Sequence, residues 1–234
     1  MKNYTLGINT GFAVNRYSEP EEWTDIVAMT GAKNIQFTAD ILNVSLPDSV
    51  IRKQSAKILT ECRAKDLSIT STFTGAFTRV NHLAHPDKDT RKYWIGWFKK
   101  FAELTVSLGC DTMGSHFGIF THKDNSSKDL RNERLSQNID GWHEIADYAG
   151  SIGVRQILWE PMSIKREQGE TIPNCRELQN MVNKGAPLPF KLCLDVDHGD
   201  VSSPDPDDTD PYKWLNAFAE EAPIIHLKQS SKNK

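Results

Sequence analysis

Seven short apolar runs recur along this chain at a spacing of roughly 30 to 45 residues, separated by longer stretches with helical periodicity. The runs are Tyr4 to Asn9, Asn34 to Thr38, Ser68 to Phe73, Thr112 to His116, Gln156 to Glu160, Lys191 to Val196 and Ile224 to Lys228. Such alternation marks βαβ units around a parallel sheet, because parallel neighbours need a crossover long enough to hold a helix. The clearest helical stripe joins Trp94, Trp97, Phe98, Phe101, Leu104, Thr105 and Leu108 at i, i+3, i+4 and i+7 spacing, and it should face the sheet. Similar stripes run through Ile51, Ile58, Leu59 and Cys62, and through Leu135, Ile139, Trp142, Ala146 and Ala149. Gly31, Gly109 and Gly153 stand where such helices would end, as expected of left-handed caps before the next strand.

Regular βα repetition permits an open doubly wound sheet or a closed eight-unit barrel. The turn after the first run reads GINTGFAVNRYSEP, without GxGxxG, and no GxxxxGK[ST] occurs anywhere, so an α/β fold of the TIM-type (β/α) barrel kind is favoured. At 234 residues, 38% hydrophobic and 25% charged, the chain suits one globular domain with a substantial core. A closed barrel needs an eighth strand, yet the seventh run is followed only by QSSKNK. We therefore expect residues 1–234 to form a single barrel domain that is incomplete at its C-terminus, the eighth βα unit being absent from this chain.

No run of eighteen apolar residues exists, and the start MKNYTLGINTG resembles neither a secretory signal nor a transit peptide, so no membrane partner is expected and a cytoplasmic location is. The net charge of -3 and a pI near 6.2 give no overall positive field to draw the chain onto a phosphate backbone, so no nucleic-acid partner is expected. Cys62, Cys110, Cys175 and Cys193 lie far apart and form no CxxC pair, which reads as reduced, mostly buried thiols.

In parallel barrels the reacting groups project from the C-terminal ends of the strands, so polar residues ending apolar runs are the natural candidates. Four runs end this way: MGSHF with His116, ILWEP with Glu160, LCLDVDHGD with Asp195 and His198, and IIHLKQ with His226 and Lys228. A carboxylate behind an apolar run enters a desolvated region where ionisation is costly unless a cation is near. No lysine or arginine lies nearby in sequence to pair with both Glu160 and Asp195, whereas a divalent ion would satisfy Glu160, Asp195 and His226 together. Two carboxylates and an imidazole suit Mn²⁺ first, with Mg²⁺ or Co²⁺ as alternatives. Taken singly, a glutamate at a strand end is as often a solvated rim residue, and a histidine in an apolar strand is more often a hydrogen-bonded core residue. Their occurrence on three successive strands favours the joint reading.

ILWEP, LDVDHGD and IIHLKQ, in that order and spacing, resemble the fifth, sixth and seventh strands of the xylose-isomerase-like sugar isomerase and epimerase superfamily. Tagatose 3-epimerase-like and hydroxypyruvate isomerase-like enzymes belong to it, and the endonuclease IV group does so more distantly. The resemblance implies that Glu160 is both a metal ligand and one of two acid/base carboxylates, that Asp195 and His226 are ligands, and that His198 contacts the substrate or a second metal. It also implies a role for Lys228 in the H-x-K pattern, a fourth ligand and second catalytic glutamate on an eighth strand, and a homodimer or homotetramer. The implied reaction is proton transfer beside a carbonyl in a small sugar, ketose or ketose phosphate, through a metal-stabilised enediolate. Epimerisation needs a carboxylate on each face of the substrate, so Glu160 alone would give little or no epimerase turnover.

His116 reads either as a substrate-orienting or second-metal residue or as a structural histidine. His82 and His85 lie in VNHLAHPD after the third run, a loop that would cover the pocket, where His82 touches substrate or is simply solvated. Trp159 and Phe117 would form apolar walls beside the sugar or belong to the core. Two other functions compete: an endonuclease IV-like phosphodiesterase, disfavoured by the acidic balance and the lack of a basic loop with aromatic wedges, and a non-catalytic sugar-binding barrel.

Overall fold

A computed structural model of the chain describes residues 4–79 and 83–228. Among them, seven strands form one parallel sheet in strict sequence order: β1 (Gly7–Asn9), β2 (Asn34–Thr38), β3 (Ser68–Phe73), β4 (Thr112–His116), β5 (Gln156–Glu160), β6 (Phe190–Asp195) and β7 (Ile224–His226). The connections carry helices α1 (Pro20–Met29), α2 (Asp48–Ala64), α3 (Lys88–Ser107), α4 (His122–Ser126), α5 (Lys128–Ile152), α6 (Ile172–Asn183) and α7 (Pro211–Phe218). The expected TIM-type barrel architecture is therefore present with seven strands among the described residues. None of the described helices is long and apolar enough to cross a membrane.

Strands β2 to β5 begin and end where the apolar runs do. The outer strands are shorter than expected because a strand extends only as far as its neighbour can pair with it. Gly7 pairs with Asn34, the first residue of β2, so Tyr4 to Leu6 precede the ladder; the Asn34 amide donates to Thr5 Oγ1 at 3.0 Å, and the Tyr4 hydroxyl donates to Ala219 O at 3.0 Å, beyond α7. At the other end Asp195 pairs with His226, and both strands stop there, which leaves Leu227 and Lys228 outside β7.

Strands β4, β5 and β6 are buried on both faces, as parallel strands covered by helices must be. The α3 stripe packs as its spacing implies, with Trp97, Phe98, Phe101, Leu104, Thr105 and Leu108 buried. Gly31, Gly109 and Gly153 all take positive φ at helix ends. The four cysteines are buried free thiols.

On the inner face of the sheet, successive residues of one parity form layers. Gly114, Leu158, Cys193 and Ile224 each lie two residues before His116, Glu160, Asp195 and His226, so an apolar layer underlies a polar one. Phe73, paired with Gly114 in the sheet, joins Leu158, Cys193 and Ile224 in an apolar cluster separate from the main core. A Cβ on Gly114 would lie 2.3 Å from the Phe73 ring and 3.0 Å from Leu158, so the missing side chain is the space that the ring fills.

Candidate active site

The polar layer converges on Glu160, which is 4% exposed at the end of β5. His116, its direct neighbour on β4, donates from Nε2 to Glu160 Oε2 at 2.9 Å, with Thr74 Oγ1 3.3 Å from Nδ1 of the same ring. From β7, His226 Nδ1 lies 3.2 Å from Glu160 Oε1. Burial pushes the Glu160 carboxyl up, but its hydrogen bonds and charge interactions with His116 and His226 outweigh this and hold it well below the usual carboxylate range. Burial also works against a charged His226, while Cys193 and Glu160 work for it, and the net shift is upward. Glu160 is therefore an ionised carboxylate in a desolvated place, stabilised from two sides by imidazoles.

Asp195 ends β6 with its side chain 1% exposed. Its Oδ1 accepts from the backbone N–H of Asp197 at 3.0 Å, and Lys228 Nζ lies 2.5 Å from its Oδ2. Lys228 is remote from Asp195 in sequence and reaches it because Asp195 pairs with His226 across the sheet. No lysine is near Asp195 in sequence, and the fold brings Lys228 to it. His198 sits between the two carboxylates, with Nδ1 3.8 Å from Glu160 Oε1 and Nε2 3.7 Å from Asp195 Oδ2. Its Nδ1 also lies 2.9 Å from the carbonyl of Pro161, an obligate acceptor, so Nδ1 donates there and Nε2 is the nitrogen that faces Asp195.

Glu160, Asp195 and His198 each offer a ligand atom, and these three atoms lie within 4.8 Å of one another. Oxygen and nitrogen donors so spaced fit a divalent cation. Of the expected ligand set, Glu160 and Asp195 thus come together with His198, whereas His226 approaches Glu160 and not that trio, facing Gln36 and Cys193 on its other side. His116 and Lys228 both reach the site, each through a carboxylate.

Trp159 does not line it. Glu160 points inward, so its neighbour must point outward; Trp159 is fully buried against the helices, its indole N–H donating to Gln179 of α6 at 2.6 Å and its ring packed edge-on against Phe117. Phe117 is core as well. His82 lies outside the described residues. His85 is a loop residue whose Nδ1 accepts from the backbone N–H of Asp87 at 3.0 Å.

Residues that end no apolar run also shape the site. Gln36 of β2 accepts at Oε1 from His226 Nε2 and from Asn9 Nδ2, each at 2.6 Å. At the rim, Asp40 accepts from the backbone N–H groups of Phe77 and Thr78, shaping the loop after β3. Arg79 of that loop pairs at 3.2 Å with Glu167 of the loop after β5, which ties two segments together above the strand ends.

Comparison with known proteins agrees with this architecture. The model of the xylose isomerase-like TIM barrel family matches residues 25–234. A D-erythrulose 1-phosphate 3-epimerase of Brucella abortus is 40% identical over 232 residues, covering 98% of this chain and 75% of that protein. Among solved structures, a candidate xylose isomerase of Rhodospirillum rubrum superposes with a TM-score of 0.90 at 23% identity, covering 97% of this chain and 78% of that one. A D-psicose 3-epimerase of Clostridium cellulolyticum, solved with D-tagatose, gives 0.68 at 15% identity over 94% of this chain and 71% of that one. The chain belongs to the xylose isomerase-like TIM barrel family, and it is an enzyme of the sugar isomerase and epimerase kind.

Proposed function

We propose that this chain moves a proton at a carbon beside the carbonyl of a short ketose or ketose phosphate, as a divalent-metal-dependent epimerase or isomerase. Mn²⁺ is the expected ion, and Mg²⁺ or Co²⁺ the alternatives. The observation that carries the reading is Glu160: a buried, ionised carboxylate at a strand end, with Asp195 and His198 ligand atoms within 4.8 Å. The 40% identical relative supports a phosphorylated four-carbon ketose as the substrate class.

Glu160, Asp195 and His198, with His226 as the further expected ligand, would hold the ion. When bound, it supplies a Lewis acid to the carbonyl and hydroxyl oxygens of the substrate. Glu160 takes the proton from the carbon beside the carbonyl; the C–H electron pair moves into the forming C=C bond, and negative charge gathers on the carbonyl oxygen as an enediolate. His116 Nε2, 2.9 Å from Glu160 Oε2, fixes the direction from which that carboxylate approaches. His198, held by Pro161, keeps its Nε2 turned to the site, where the ion or a substrate hydroxyl would take it. Lys228 balances the charge of Asp195, which leaves Glu160 as the carboxylate that acts as the base.

Return of the proton to the neighbouring carbon isomerises the substrate, and return to the opposite face of the same carbon epimerises it. The second outcome takes a second acid/base group, so proton exchange is the more direct readout of Glu160. The test is incubation with D-erythrulose and its 1-phosphate in D₂O plus Mn²⁺, followed by proton NMR. Loss of the signal of the proton beside the carbonyl, abolished by EDTA and restored by Mn²⁺, is expected. A folded protein that exchanges neither compound with Mn²⁺, Mg²⁺ or Co²⁺ present would overturn the proposal.

A further inference from the structure

Behind His226 a chain of side chains crosses from β7 to β2 and β1, and each link fixes the next. The backbone N–H of Gly11 can only donate, and it donates to Asn9 Oδ1 at 2.7 Å. That settles which end of the Asn9 amide is oxygen, an assignment that hydrogen bonding alone must make. The Asn9 Nδ2 therefore faces Gln36, and the atom it meets at 2.6 Å must be an acceptor, Oε1. The same oxygen lies 2.6 Å from His226 Nε2, so that ring nitrogen carries the proton. The remaining nitrogen, Nδ1, is the one turned toward Glu160, 3.2 Å from Oε1. Gln36 is 6% exposed, so water does not stand in readily for any of these partners.

The geometry points to Gln36 as a positioning residue that keeps Nε2 the donating nitrogen of His226 and sets its ring angle, so that Nδ1 is the nitrogen presented to a cation bound beside Glu160. The inference rests on the metal-dependent reading of the site and adds to it a residue from the far side of the sheet. The chemistry is general: an imidazole ligand is held in place when its other ring N–H donates to a fixed oxygen, and losing that oxygen typically weakens metal binding by about 10- to 100-fold. Gln36 in turn is steadied by Asn9, so the preparation of a ligand on β7 begins in the turn after β1.

The experiment is Mn²⁺ titration of the metal-stripped protein, free Mn²⁺ being followed by its EPR signal, for wild type, Gln36→Leu and Gln36→Glu, with thermal melts of each. Gln36→Leu removes the acceptor and is expected to raise the Kd about 10- to 100-fold. Gln36→Glu keeps an acceptor oxygen at the same reach and is expected to bind Mn²⁺ with an affinity close to wild type. Wild-type affinity in a folded Gln36→Leu protein, or a Gln36→Glu protein as weak as the leucine variant, would overturn the inference. Should Gln36→Leu fail to fold, ¹⁵N spectra of the Mg²⁺-saturated wild type decide: a protonated Nε2 and a bare Nδ1 on His226 support the assignment, and the reverse tautomer sinks it. A wild-type protein that binds no Mn²⁺ at all would remove the metal reading itself, and this inference with it, before any variant is compared.

Discussion

Replacing Glu160 by glutamine separates the chemistry of this site from its architecture, because the two side chains have the same shape and the hydrogen bonds can be re-formed without charge. In the native site Oε2 accepts from His116 Nε2 and Oε1 faces His226 Nδ1. A glutamine placing its oxygen toward His116 and its NH₂ toward His226 satisfies both rings as neutral imidazoles, since His226 already spends its Nε2 proton on Gln36. Two charge-assisted hydrogen bonds become neutral ones, a loss of about 1 kcal/mol each. Burying an amide instead of a carboxylate returns part of that cost. The net change should lie within about 2 kcal/mol of zero, a shift of at most about 8 °C in Tm for a chain of this size. Activity is another matter, because an amide cannot accept the substrate proton. Loss of a general base typically removes a factor of about 10² to 10⁴, or about 3 to 5 kcal/mol of transition-state stabilisation. The assay is the initial rate of deuterium uptake by NMR, alongside thermal unfolding of the same preparations. A variant that melts normally but still exchanges at the wild-type rate would show that Glu160 is not the base. One that has lost most of its melting temperature would show that the charge at this position is structural.

The ionisation of the site should also appear in stability. Glu160 has a folded pKa below its unfolded one, so its contribution is present above about pH 4.3 and is lost as the solution is acidified through the depressed value. His226 has a raised pKa, so its contribution is complete below its ordinary 6.5 and fades as pH rises toward the raised value. Metal-stripped wild type should therefore lose Tm both on acidification below about pH 4 and on going alkaline from neutrality, and Glu160→Gln should flatten the alkaline limb; identical alkaline profiles would refute the coupling. Gly114→Ala puts a methyl group where the Phe73 ring lies, and overpacking of this kind costs about 1 to 3 kcal/mol. Because that ring stands edge-on 5.8 Å from both His116 and His226, the exchange rate should fall along with the Tm, and full activity in this variant would show that the floor does not set the histidine positions.

Much of this was legible in the chain before any coordinates. The interiors of β2 to β5 were bounded correctly because each is a compact apolar run between turn residues, and Glu160 and Asp195 declared themselves as charges behind three apolar residues. Trp159, expected as a wall beside the sugar or as core, is core; period-two alternation carried that answer, since the residue beside an inward glutamate faces out. Gln36 and Asn9 were not legible, because they sit in runs where polar and apolar residues alternate and a single sequence does not say which face is inside, and Thr74 lies just past the end of the third run. The Lys228 contact with Asp195 depends on the β6 and β7 register, which only pairing fixes. The ends of β1 and β7 were misplaced for the same reason: composition permits a longer strand, and the neighbour decides its length.

The Phe73 ring lying over Gly114, with Leu158, Cys193 and Ile224 around it, gives the polar layer an apolar floor. Under the proposed function, a proton that Glu160 collects would pass back onto the bound molecule or outward past the rim where Arg79 meets Glu167, not down into that apolar floor. Under that function, the share of hydrogen returned to its own substrate instead of being lost to bulk solvent would measure how far the rim, and not the floor, governs exchange.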